Sequence, residues 1–230
     1  MKMKIEKDIV LPHLYLLTFE TQYELCMSFV RMQEFYESPK FRNKYFTLEE
    51  FMDYWAKEYG HGAFDYPARW NGFNLPSNAI EKWYQKIYDQ KNHDTWGGYR
   101  EREKVIVEAI TSLYEKDYGK PVWGKRPKKY YVIGIHKGSS EEVKQGVIDH
   151  ETAHALYYLY PKYRKMTNAL LDGIPKRDYK SAASDLTIMG YGNNVIKDEM
   201  QAYFSTNKGK NPFEGRASFA KNLEKFKKTL

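Results

Sequence analysis

The chain is poor in several things that would narrow its class at once. It holds a single cysteine, Cys26, so a disulfide framework within the chain and a multi-cysteine zinc site are both excluded. No apolar run approaches the ~18 residues that a membrane-spanning helix needs. Residues 1–8 alternate lysine with acidic and apolar side chains and show no signal-peptide apolar core. The expectation is a soluble, cytoplasmic protein with no membrane association. Collagen-like glycine periods, coiled-coil heptads and internal repeats are also missing.

What is there suits a folded core. The 230 residues are 42% apolar and 17% aromatic, enough for one large domain or two small ones. Lys+Arg number 37 against 30 Asp+Glu, a net charge of +7. Residues 206–230 carry seven basic and two acidic side chains, so most of the excess sits there. A second basic stretch is Lys120, Lys125, Arg126, Lys128 and Lys129. Such runs recruit nucleic acid or an acidic partner, or simply form a solvated face. No zinc-finger spacing, RNA-binding aromatic signature or phosphate-binding glycine loop accompanies them. The solvated face is the plainer reading. An acidic partner at the C-terminal helix is the functional one, and nucleic acid is disfavoured.

Residues 9–19 read as a strand, or as two interrupted at Pro12. Thr21 and Thr47 each precede a Glu by three residues, the capping-box pattern. The helices they start carry Leu25, Phe29, Met32 and Tyr36, then Phe51, Trp55 and Tyr59. Residues 60–76 read as a long loop, with Ser77 capping a helix that bears Ile80, Trp83 and Ile87. After a turn at Gly97-Gly98, a helix over 99–116 spaces Ile106, Ile110 and Leu113 for burial. Residues 130–136 read as a strand and 141–160 as a helix stopped at Pro161. A short helix reaches Leu171, a loop spans 172–194, and a helix covers 195–205. A last helix places Phe219, Leu223, Phe226 and Leu230 on one face. The class is α+β, mostly helical with a small sheet. One compact unit is expected, with two lobes, 1–119 and 120–230, as its internal division.

The strongest chemical signal is His150-Glu151-Thr152-Ala153-His154. Histidines four apart on a helix share one face, ~6 Å apart along the axis, so both imidazoles can reach one metal ion. Glu151 projects beside that ion, where a general base for water belongs. With six His and nineteen Glu in the chain, a chance match arises on the order of once in a hundred such chains. The plainer alternative is a pair of core histidines satisfied by hydrogen bonds. Here the motif falls inside a predicted helix flanked by Val147, Ile148, Ala155 and Leu156. A catalytic site needs a third protein ligand. The other histidines, 13, 61, 93 and 136, all precede the motif, which excludes a third histidine downstream. Of the downstream acids, Glu199 is best placed, on a helix with Met200, Ala202 and Phe204. Its neighbour Asp198 reads as an acid favoured by the helix dipole.

This arrangement resembles the gluzincin branch of the zinc metallopeptidases. Its layout is similar to the group that contains anthrax lethal factor and the Pro-Pro endopeptidases. The resemblance covers residues 130–230. It implies a zincin-like fold, a Zn²⁺ ion held by His150, His154 and Glu199, and hydrolysis of a peptide or protein substrate with Glu151 as base. It further implies that Tyr191, in the loop before Glu199, donates to the developing oxyanion. An edge strand beside the motif helix would hold substrate by strand addition, which assigns Tyr131, Ile133 and Ile135 to substrate binding. His136 reads as a surface turn histidine, and His61, His93 and the Trp70–Phe73 stretch as packing or turn residues. Three departures stand out. Ala153 replaces a frequent glycine, the Tyr191–Glu199 interval is one residue longer, and Tyr203 stands where many gluzincins have an Asp that orients a histidine. The competing readings are a non-catalytic or regulatory zincin-fold protein that binds a partner or nucleic acid, and an accidental motif in an interaction protein.

Overall fold

The structure, a computed structural model, describes residues 3–90, 100–119, 128–189, 191–193, 195–206 and 216–230, the side chains of 88–90 and 216 excepted. The described residues are α+β, mostly helical with one small sheet. They divide into two compact units, Met1–Lys144 and Gln145–Leu230. The turn at Gly97-Gly98, His93, Lys120, Lys125, Arg126, Lys208 and Lys210 lie outside the described residues. No helix among those described is long and apolar enough to cross a membrane.

The first unit holds the sheet. Strands β1 (Ile5–Leu11) and β2 (Leu14–Phe19) pair antiparallel, with Leu11 opposite Leu14. Pro12 has no N–H for a ladder, and His13 turns the chain at φ 68°, so the apolar run splits into a hairpin. Strand β3 (Gly72–Pro76) lies inside the expected 60–76 loop, after a 3₁₀ turn at Tyr66–Ala68. Phe73 and Leu75 alternate into the core, and Pro76 is tolerated because β3 is an edge strand. Strand β4 (Tyr131–His136) runs parallel to β2 and antiparallel to β3, in the order β1-β2-β4-β3.

That order corrects the substrate-strand assignment. β4 is interior, so the main chain of Tyr131, Ile133 and Ile135 is committed on both sides and cannot accept an added strand. All three side chains are buried, and the Tyr131 hydroxyl donates to Asn74 Oδ1 at 2.6 Å. A nearly continuous apolar run is what a strand covered on both faces requires. The partners of β4 are residues 14–19 and 72–76, and the strand lies in the first unit, Met1–Lys144.

Helix α1 (Gln22–Glu37) starts where Thr21 Oγ1 accepts the Glu24 N–H at 3.1 Å and ends before Ser38-Pro39. It lies close on β4. A Cβ at Gly134 would come within 2.7 Å of Leu25 and Phe29 side-chain carbons, so only glycine fits. Helix α2 (Leu48–Glu58) carries the full Thr47/Glu50 capping box. Helices α3 (Ser77–Gln90) and α4 (Glu101–Tyr118) add Ile80, Trp83, Ile106, Ile110 and Leu113 to the same core. Across that core, Arg31 grips Glu103 through two bonds of 2.6 and 2.9 Å.

Helix α5 (Glu141–Leu159) starts in the last residues of the first unit and runs into the second, where Pro161 ends it and opens α6 (Pro161–Asp172), a position at which its missing N–H costs nothing. Helix α7 (Lys176–Ile188) replaces most of the expected 172–194 loop. Tyr179, Ala182, Ala183 and Leu186 make its apolar face, and the rest of its surface is lysine, arginine, aspartate, serine and threonine up to the exposed Ile188. Helix α8 (Ile196–Thr206) buries Ile196, Met200 and Phe204 at four-residue spacing. Helix α9 (Arg216–Lys227) buries Phe219, Leu223 and Phe226, while Leu230 lies past its end and is exposed.

Candidate metal centre

Helix α5 sets the first two residues of the centre. Thr152, Ala153, Ala155 and Leu156 are buried around the motif. They anchor a helix on which His150 and His154 stand one turn apart. Helix α8 brings the third. With Ile196, Met200 and Phe204 fixed in the core, Glu199 is buried in the first turn of α8, where the helix dipole favours a carboxylate.

The three side chains converge. His154 Nε2 lies 3.3 Å from His150 Nε2. Glu199 Oε2 lies 3.8 Å from His150 Nε2 and 3.6 Å from His154 Nε2. A triangle with these sides has a point about 2.1 Å from every corner, the length at which nitrogen and oxygen donors hold a first-row divalent ion. The group is close enough to hold one metal ion. Glu199 Oε2 is also buried with no hydrogen-bond partner, and a carboxylate oxygen taken out of water needs a compensating charge or donor.

The orientation of His154 comes from Asp198. Its Oδ1 accepts from His154 Nδ1 at 2.9 Å and from Gln201 Nε2 at 3.0 Å. That bond keeps a proton on Nδ1, so Nε2 is the nitrogen that faces His150 and Glu199 and gives up its proton when a metal binds. Burial opposes the charged imidazole of His154, but Asp198 and then Glu199 outweigh it and hold its pKa well above the usual histidine range. The sequence reading gave Asp198 only a dipole role. Two adjacent acids at a helix start were the available signal, and which of them faces which nitrogen depends on how α8 lies against α5.

Glu151 follows His150 on α5 and is half-buried. Tyr203 sets its ring edge against the His150 imidazole, with centroids 4.7 Å apart, and its hydroxyl lies 3.2 Å from that of Tyr191. Tyr191 is therefore one aromatic ring removed from His150. A groove of about 640 Å³ runs beside the centre, walled by Tyr157, Tyr179, Lys180, Asn193 and Lys197, with Asp198 shared between groove and centre.

Residues of the first unit fared differently. His136 is buried, not a surface residue. Its Nε2 shares a hydrogen bond with Ser139 Oγ at 2.9 Å, and burial together with Lys144 lowers its pKa. His61 does take a turn position, at φ 48°. Gly72 and Phe73 belong to β3, with Trp70 exposed before them. No family model, no curated protein and no solved structure matches the chain, so the geometry of the centre and the residues that build it carry the functional reading.

Proposed function

We propose that the chain is a zinc-dependent endopeptidase of zincin-like fold. The observation that carries this reading is the convergence of three donor atoms within 3.3–3.8 Å of one another, with a glutamate in the general-base position of the same helix. Two imidazoles and one carboxylate suit zinc better than magnesium or calcium, and His₂Glu is a catalytic zinc set. Bound by His150, His154 and Glu199, zinc supplies a Lewis acid that acidifies water and polarises a peptide carbonyl.

The chain's own residues do the rest. Glu151 accepts the proton of the attacking water and returns it to the departing amine. Asp198 keeps the His154 lone pair on its ligand face. The Tyr191 hydroxyl donates to the carbonyl oxygen as that atom gains charge, and its contact with Tyr203 restrains it.

One observation favours a second reading. Lys221, Lys225 and Lys228 are exposed on and just past α9, opposite its buried face. They suit an acidic partner, bound by a zincin-fold protein that keeps its metal without turnover. Zinc-loaded protein incubated with a peptide library and analysed by mass spectrometry separates the two. Glu151→Gln should lower cleavage by about 10²–10⁴-fold with zinc retained. Equal cleavage by that variant overturns the proposed chemistry, and no cleavage by either protein favours the second reading.

A further inference from the structure

Behind the metal centre, a line of polar groups runs inward where an apolar core is cheaper. Gln201 and Tyr163 are both completely buried. The Gln201 side chain is used at both ends. Its Nε2 donates to Asp198 Oδ1 at 3.0 Å, and its Oε1 accepts from the Tyr163 hydroxyl at 3.2 Å. The Tyr163 ring is held against Phe226, with centroids 5.2 Å apart. The Asp198 carboxylate can only accept, so the amide N–H faces Asp198 and the amide oxygen faces Tyr163. Asp198 Oδ1 thus receives two donors on different vectors, His154 Nδ1 and Gln201 Nε2.

Such a line contributes little to stability by itself. A buried amide loses hydration, and its new hydrogen bonds roughly restore that loss. An apolar pair of the same shape at both positions serves the fold as well. The line does fix one geometric quantity, the rotamer of Asp198, whose side chain is otherwise 32% exposed and free to turn toward solvent. We infer that Gln201 is a positioning residue of the metal centre, with Tyr163 setting its amide and Asp198 passing its orientation to His154. This role rests on the metal reading proposed above.

The test uses the whole chain. Zinc affinity is measured by chelator competition, and thermal unfolding is followed on chelator-treated protein. Gln201→Met keeps volume and removes both polar ends. Its zinc affinity should fall about 10–100-fold, the usual cost of losing an orienting partner; the zinc-free unfolding temperature is compared in Gln201→Met/Tyr163→Phe, which leaves no hydroxyl without its acceptor and should unfold where wild type does. Asp198→Ala should cost as much affinity, and Gln201→Met/Asp198→Ala no more than the worse single, because both break one line. Should Gln201→Met fail to fold, Tyr163→Phe removes only the hydroxyl and should weaken zinc several-fold. Wild-type affinity in the variant that folds, or losses that multiply in Gln201→Met/Asp198→Ala, overturn the role of Gln201 while leaving the metal reading intact. Absence of zinc from the wild-type chain overturns the metal reading, and this role with it.

Discussion

Acid should strip metal from this centre over a pH range where an ordinary histidine no longer titrates. Burial alone would disfavour a charged His154, but Asp198 Oδ1 lies 2.9 Å from its Nδ1 and Glu199 Oε2 3.6 Å from its Nε2. The two carboxylates hold its pKa well above 6.5. A metal ion needs the unprotonated Nε2, so binding displaces a proton at every pH below that raised value. Zinc affinity should therefore rise about tenfold per pH unit, roughly 1.4 kcal/mol, and keep rising above pH 6.5. The zinc-free chain has the opposite sign. Its native state binds the His154 proton more tightly than the unfolded chain does. That stabilisation is complete below the unfolded pKa and is lost as pH rises through the raised one. Chelator competition between about pH 6 and pH 8 measures the first effect. Urea unfolding of zinc-free wild type and Asp198→Asn measures the second, and the gap between them should shrink as pH rises. An affinity that is flat above about pH 6.5, or a gap that widens with pH, would refute the electrostatic account of His154.

Two further outcomes follow from other parts of the molecule. Arg31→Met leaves Glu103, 1% exposed, with the Arg100 backbone N–H at 2.9 Å and no guanidinium. Urea unfolding should show a loss of about 3–5 kcal/mol, largely regained by adding Glu103→Leu; a double variant weaker than the single would contradict this. Tyr191→Phe keeps the ring and removes the donor, so kcat on a cleaved peptide should fall about 10²–10³-fold at unchanged zinc content, and an unchanged kcat removes Tyr191 from the chemistry.

What the sequence revealed was mostly local. The helical spacing of His150 and His154 is a property of one segment, and the caps at Thr21 and Thr47 need only three residues. Glu199 was found because its neighbours Met200 and Phe204 mark a helix that must pack. Features set by tertiary register stayed hidden. Asp198 and Glu199 are adjacent, and only the placement of α8 decides that one meets Nδ1 of His154 while the other meets Nε2. Arg31 and Glu103 lie on different helices and look like solvated charges until their bond is seen. Strand β3 is short, opens on Gly72 and closes on Pro76, so it reads as loop, and the edge position of β4 came from the resemblance alone. Helix α7 was missed because two of the four residues on its apolar face, Ala182 and Ala183, are small and weakly apolar, and Gly173 and Pro175 before it read as loop.

The proposed centre rests on three donor atoms, His150 Nε2, His154 Nε2 and Glu199 Oε2. X-ray absorption on the zinc-loaded chain, with zinc content measured on the same sample, should find one ion per chain bound by two imidazole nitrogens and one carboxylate oxygen. Glu199→Ala should lose the carboxylate and most of the zinc. A wild-type chain that takes up no zinc, or a coordination sphere that Glu199→Ala leaves unchanged, would contradict the centre described here.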